Sequence, residues 1–139
     1  MPKRRRGSRS AALRPRRRVV HRRFEELIEV ALSRIPPPFD RGLDDVAVVV
    51  ADEPDERQRL ENGLEPDETL YGLYEGIPRT AWGAGSAPVP NIITLFRLPL
   101  EEDFPDPDEL ADEVRATVMH ELAHHLGIDD RRLGELGVD

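Results

Sequence analysis

The chain has 139 residues, no cysteine and a formal charge of −8 at pH 7, a length that suits one domain with its own core. Without cysteine there is neither a disulfide nor a thiolate metal site, so any metal bound by side chains would have to use His, Asp or Glu. No run of about 18 apolar residues is present, so no span of a membrane is expected, and the charged N-terminus has no apolar stretch behind it, so it does not read as a secretory signal; a cytoplasmic protein is expected.

Charge is divided unevenly along the chain. Residues 1–23 hold eleven of the twenty Lys and Arg and no acid, whereas all 28 acids follow them. Residues 1–16 read as a basic, disordered tail, because they carry too little apolar surface to join a core. Residues 17–139 read as the folded domain. The tail is a candidate contact for RNA, DNA or anionic lipid. The plainer readings are a solubilising arm or a segment that folds back on the acidic body, and the tail has no aromatic residue for base stacking.

A first helix is predicted from about Arg17 to Ser33, with Val20, Phe24, Leu27, Ile28, Ala31 and Ile35 on its buried face. Pro36-Pro37-Pro38 ends it. The β-branched run Val46–Val50 predicts a buried strand. Asp52 to Leu60 predicts a short acidic helix. Leu70–Tyr74 predicts a second strand, closed by Gly76-Ile77-Pro78. Residues 79–90, rich in Gly, Pro and Ala, read as a loop that holds Trp82. Ile92–Phe96 predicts a third strand. This order predicts an α+β domain in which helices pack on one short sheet. An extended peptide can add to an exposed sheet edge, and the third strand and the 79–90 loop are candidates for that role. Tyr71 and Tyr74 are candidates for oxyanion stabilisation, with ordinary strand aromatics as the plainer reading.

The segment from Asp106 onwards carries the chemistry. Asp106 is a candidate N-cap, Pro107 suits the first helical position and Glu109 completes a box-like pattern. Leu110, Val114, Val118 and Leu122 recur every four residues, as on a core-facing helix. The helix then carries His120-Glu121-Leu122-Ala123-His124, an H-E-x-x-H pattern. Residues four apart share a helix face, so both imidazoles can aim at one metal ion, with Glu121 beside them to take a proton from a metal-activated water. At about 100° per residue, Glu121 falls within the apolar stripe, where a carboxylate is costly unless it is paired or employed. Gly127 stops the helix and permits a sharp turn back towards the histidines. Asp130 lies in that return segment and is the candidate third ligand; the alternative is that Asp129 or Asp130 caps a short terminal helix. His125 reads as a packed histidine, or one that supports the metal ligands from behind, rather than as a ligand, and Met119 reads as core.

These residues resemble a family of small bacterial zincin-like metallopeptidases, the minimal zincins. The resemblance runs from the first helix to the end of the chain, through Asp45–Val50, Leu70–Pro78, Ile92–Phe96 and, most specifically, His120 to Gly137. It implies a small zincin-like α+β domain, one short β-sheet with an N-terminal helix and a C-terminal active-site helix. It also implies Zn2+ at His120 and His124, with Glu121 as catalytic acid/base. The wider metzincin pattern, H-E-x-x-H-x-x-G-x-x-H/D, matches at His120, Glu121, His124, Gly127 and Asp130. Metzincins also carry a methionine turn downstream, and no Met stands among residues 131–139; Glu135 is an outside candidate for the third ligand.

The leading expectation is therefore a zinc-dependent peptidase or amide hydrolase acting on a peptide or protein, with Glu121 as general base. Two alternatives stand beside it. One is a zinc-binding, non-catalytic regulatory module. The other is a nucleic-acid or ribosome-associated metal hydrolase, motivated by the basic tail; the ribosome-linked endonucleases with a histidine triad of similar spacing lack a Glu in the position of Glu121. Oligomeric state is not readable from the residues.

Overall fold

A computed structural model describes residues 3–6, 17–76, 91–128 and 130–135. Their elements are β1 (Arg4–Arg5), α1 (Arg17–Ser33), a 3-10 turn (Phe39–Asp44), β2 (Ala47–Ala51), α2 (Glu56–Glu61), β3 (Glu68–Thr69), β4 (Gly72–Glu75), β5 (Ile92–Phe96), α3 (Arg97–Asp103), α4 (Pro107–His125) and α5 (Asp130–Glu135). This is the expected α+β arrangement. The 79–90 loop, Trp82, Ile77-Pro78 and the side chain of Val20 lie outside the described residues.

The main sheet has the order β2-β5-β4, with β2 parallel and β4 antiparallel to β5. The third predicted strand is therefore central. It is hydrogen-bonded on both sides and cannot receive a peptide, which corrects its candidacy as an edge; β2 and β4 are the outer strands. Burial explains the order. Ile93, Thr94, Leu95 and Phe96 are all buried, as a strand covered on both faces requires. Successive side chains point to opposite faces. Ile93 and Leu95 join the main core with Phe24, Ile28, Val114, Val118 and Leu122, while Phe96 joins Leu70 and Leu73 in a smaller cluster.

α1 packs on α4, and α4 also lies against β4, β5 and the 3-10 turn. Phe24, Ile28, Ala31 and Ile35 are buried as predicted, with Leu27 partly so. α3 is an element the sequence reading did not anticipate. It begins directly after β5, with Pro99 in its first turn, where the missing N–H costs nothing.

Two glycines set how closely α4 can approach its neighbours. A Cβ on Gly72 would stand 2.6 Å from Thr117 Cγ2, and one on Gly42 would stand 2.8 Å from Leu122 Cδ2. A Cβ at either position would force the buried side chain it meets to shift, so glycine lets β4 and the 3-10 turn lie close on the helix.

β1 pairs antiparallel with β3 in a separate two-stranded sheet, Arg4 opposite Thr69 and Arg5 opposite Glu68. Within the basic segment, then, the described residues 3–6 follow the fold-back alternative. The remainder of 1–16 lies outside the described residues.

Candidate metal centre

The helix that carries the site starts as its sequence directs. The Asp106 carboxylate accepts a hydrogen bond from the Glu109 N–H at 3.0 Å, and Pro107 follows the cap. Asp108 and Glu109 stand in the first turn, the sign that the helix dipole favours there. The other end closes in a Schellman motif. Gly127, at φ 77°, donates to the His124 carbonyl at 3.1 Å, and Ile128 donates to the Ala123 carbonyl at 2.7 Å. Gly127 supplies the left-handed conformation and Ile128 returns onto the core. The chain thus turns back immediately after the histidines, as read from the sequence.

Between these ends, His120, Glu121 and His124 converge. One donor atom from each lies within 4.8 Å of the others. The two imidazole rings meet edge to face with centroids 5.0 Å apart. His124 Nδ1 stands 3.8 Å from Glu121 Oε2. His120 and His124 are half-buried and so open to an ion from solvent, whereas Glu121 is 1 % exposed. The apolar-stripe argument therefore held: Glu121 points inward and has a partner. The N–H of Tyr74 donates to Glu121 Oε1 at 2.9 Å. Tyr74 sits in β4, a border strand of the three-stranded sheet, opposite Ile93. Its amide would otherwise be a strand donor seeking an acceptor. Two requirements are met at once: a buried carboxylate gains a donor and a strand amide gains an acceptor.

The phenol of Tyr74 is anchored as well. Its O–H donates to Asn91 Oδ1 at 2.9 Å and stands 3.0 Å from His125 Nδ1. Nε2 of His125 in turn faces Asp45 Oδ2 at 3.4 Å. Burial pushes the Tyr74 phenol above its ordinary value. His125 is 0 % exposed, which settles it as a packed residue with both ring nitrogens engaged. The Tyr71 hydroxyl donates to Asp103, and burial first, then that carboxylate, raise its pKa. Both tyrosine hydroxyls are thus committed to internal partners, in line with the plainer reading of ordinary strand aromatics.

Sequence reasoning missed Asp45, Asn91 and the Tyr74 amide. No local pattern could have found them, because the His125–Asp45 contact joins residues 80 apart and a backbone donor has no side-chain signature. Asp130 opens α5, while its side chain and all of Asp129 lie outside the described residues. Two imidazoles one helical turn apart, in a chain without cysteine, supply nitrogen donors that zinc accepts, with the Glu121 carboxylate beside them. The residues present therefore fit a divalent metal of this class.

The model of the zincin-like metallopeptidase family matches residues 43–138, and the chain belongs to that family. No curated protein matches it.

Proposed function

We propose that the protein is a zinc-dependent peptidase or amide hydrolase acting on a peptide or protein, within a domain spanning residues 17–139. The observation that carries this reading is the convergence of His120, Glu121 and His124 donor atoms within 4.8 Å on one helix of a zincin-like chain. His120 and His124 hold the ion, and Asp130 is proposed as third ligand on its sequence register alone. Zinc, when bound, would supply Lewis acidity to a water and to a carbonyl oxygen. Glu121 takes the proton of the attacking water at Oε2 and returns it to the leaving nitrogen. The Tyr74 N–H holds Oε1 throughout, so the carboxylate keeps one orientation while the other oxygen exchanges the proton. Among the described residues, no helix is long and apolar enough to cross a membrane.

A second reading, a zinc-binding module without turnover, has a specific observation behind it. Glu121 is 1 % exposed and already engaged by a backbone amide, as a purely structural carboxylate would be. One experiment separates the two: zinc-loaded protein is incubated with a broad peptide library and the products are read by mass spectrometry. Cleavage that falls roughly 10²–10⁴-fold in Glu121→Gln, the usual loss for a positioned acid/base, with zinc content retained, supports the peptidase. No cleavage at full zinc occupancy leaves the binding module.

A further inference from the structure

The basic N-terminal segment is seated on the acidic body residue by residue. Lys3 Nζ donates to the Gly63 carbonyl at 2.9 Å. The Arg4 guanidinium lies over the Tyr71 ring, 4.8 Å from its centroid, within the range where the ring's negative face attracts a cation. Arg5 pairs with Asp67. Arg6 donates to both oxygens of Glu102 at 2.8 and 2.9 Å and also pairs with Glu53. Its backbone N–H reaches the Asp67 carbonyl at 2.9 Å, extending the ladder of β1 on β3.

Exposed ion pairs such as Arg5–Asp67 are individually weak, but here the pairs come with contacts of other kinds. A planar guanidinium bound through two nitrogens, a second one stacked on a buried ring and a strand ladder together specify arginine in an extended backbone. Three carboxylates from separate parts of the chain, Glu53 ahead of α2, Asp67 ahead of β3 and Glu102 in α3, converge on two consecutive arginines, Arg5 and Arg6. A terminus that only sealed a sheet edge would need the ladder alone.

We propose that the trough bounded by Glu53, Asp67 and Glu102, floored by the edge of β3 and Tyr71, is a recognition site for an extended arginine-rich segment of a partner protein. Lys3–Arg6 fill it in cis until such a segment displaces them. The trough shares no residue with the His120, Glu121 and His124 group. The cis occupant belongs to the same chain, and such covalent linkage gives an effective concentration on the order of millimolar. A partner must compete with that, so the trough opens only to a segment that is abundant or held nearby.

The test uses a dye-labelled peptide with the sequence of residues 1–8, MPKRRRGS, titrated by fluorescence anisotropy at low salt. The full-length Arg5→Ala/Arg6→Ala variant, which empties the three-carboxylate end of the trough, should bind at least about tenfold more tightly than wild type, since the cis competitor is weakened. Adding Glu53→Gln/Glu102→Gln to that variant should abolish the gain. The peptide MPKKKKGS should bind more weakly than MPKRRRGS, because lysine cannot form the two-nitrogen contact. Equal affinity of wild type and emptied variant, or of the two peptides, overturns the proposal. A wild-type dimer in light scattering assigns the trough to a second copy and also overturns it. If the emptied variant does not fold, hydrogen exchange on the wild-type chain decides. Excess MPKRRRGS should deprotect the Arg6 amide, which bonds to Asp67, and leave β5 protected; an unchanged Arg6 amide overturns the proposal.

Discussion

The last turns of α4 present two faces built from the same residue type. On the outer face, His120 and His124 stand half-buried, with donor atoms within 4.8 Å of each other and of Glu121. On the inner face, His125 is fully buried between Tyr74 and Asp45. His124 and His125 are neighbours in sequence, yet one turn angle of about 100° sends them to opposite environments. Tyr74 joins the faces, its phenol beside the inner histidine and its amide on Glu121. The inner face thus holds the strand that orients the outer one, so packing there is part of the site.

Substituting one histidine from each face breaks the comparison most sharply. His124→Ala should lose zinc and keep its fold. His125→Ala should keep the zinc ligands but lose roughly 2–5 kcal/mol of stability, as for other large buried side chains cut to Ala. Metal analysis together with thermal unfolding reads both variants. Zinc lost from His125→Ala with its stability intact would reverse the two faces.

A smaller effect is expected at Gly72, where the strand meets the helix. Gly72→Ala drives a Cβ to 2.6 Å from Thr117 Cγ2 and should cost about 1–3 kcal/mol through overpacking. Chemical denaturation checks this. An unchanged midpoint would mean that β4 lifts freely from α4, and that the amide's hold on Glu121 is loose.

Tyr74→Phe is milder still. It removes the hydroxyl between Asn91 and His125 while keeping the amide. The expected loss is about 1 kcal/mol. Turnover should fall more than substrate affinity, because the anchor acts on Glu121 and not on a bound peptide. Equal falls in kcat and in 1/KM would contradict a positioning role for Tyr74.

The smallest signal is alkaline. Both tyrosines of the chain have folded pKa values raised above 10.0. Their stabilising contribution is complete below the unfolded value and is lost as pH rises past it, since the unfolded phenols ionise first. Absorbance titration should therefore show late tyrosine ionisation that coincides with unfolding. Ionisation at pH 10 with the fold intact would contradict the engagement of both hydroxyls by internal partners.

Local signals were legible in the sequence. The bounds of α1, the Asp106 cap, the Gly127 stop and the Ile92–Phe96 strand all follow from residues near one another. Glu121 was legible as a buried, partnered carboxylate from its place in the helical stripe. What was not legible is non-local. Strand order depends on pairings that no single run encodes, which is why β5 is central. α3 escaped notice because Leu98-Pro99-Leu100 is short and Pro99 reads as a breaker unless it falls in a first turn. The docking of Lys3–Arg6 depends on acids far along the chain, so composition alone favoured a disordered tail.

The central claim is that the outer face of α4 is a zinc site built on His120 and His124. Elemental analysis of the purified chain tests it most directly, after equilibration with zinc and removal of loosely held metal, beside the His120→Ala/His124→Ala variant. The account predicts one zinc per wild-type chain and none in the variant, with both folded by circular dichroism. Equal zinc in the two proteins, or none in either, would contradict it.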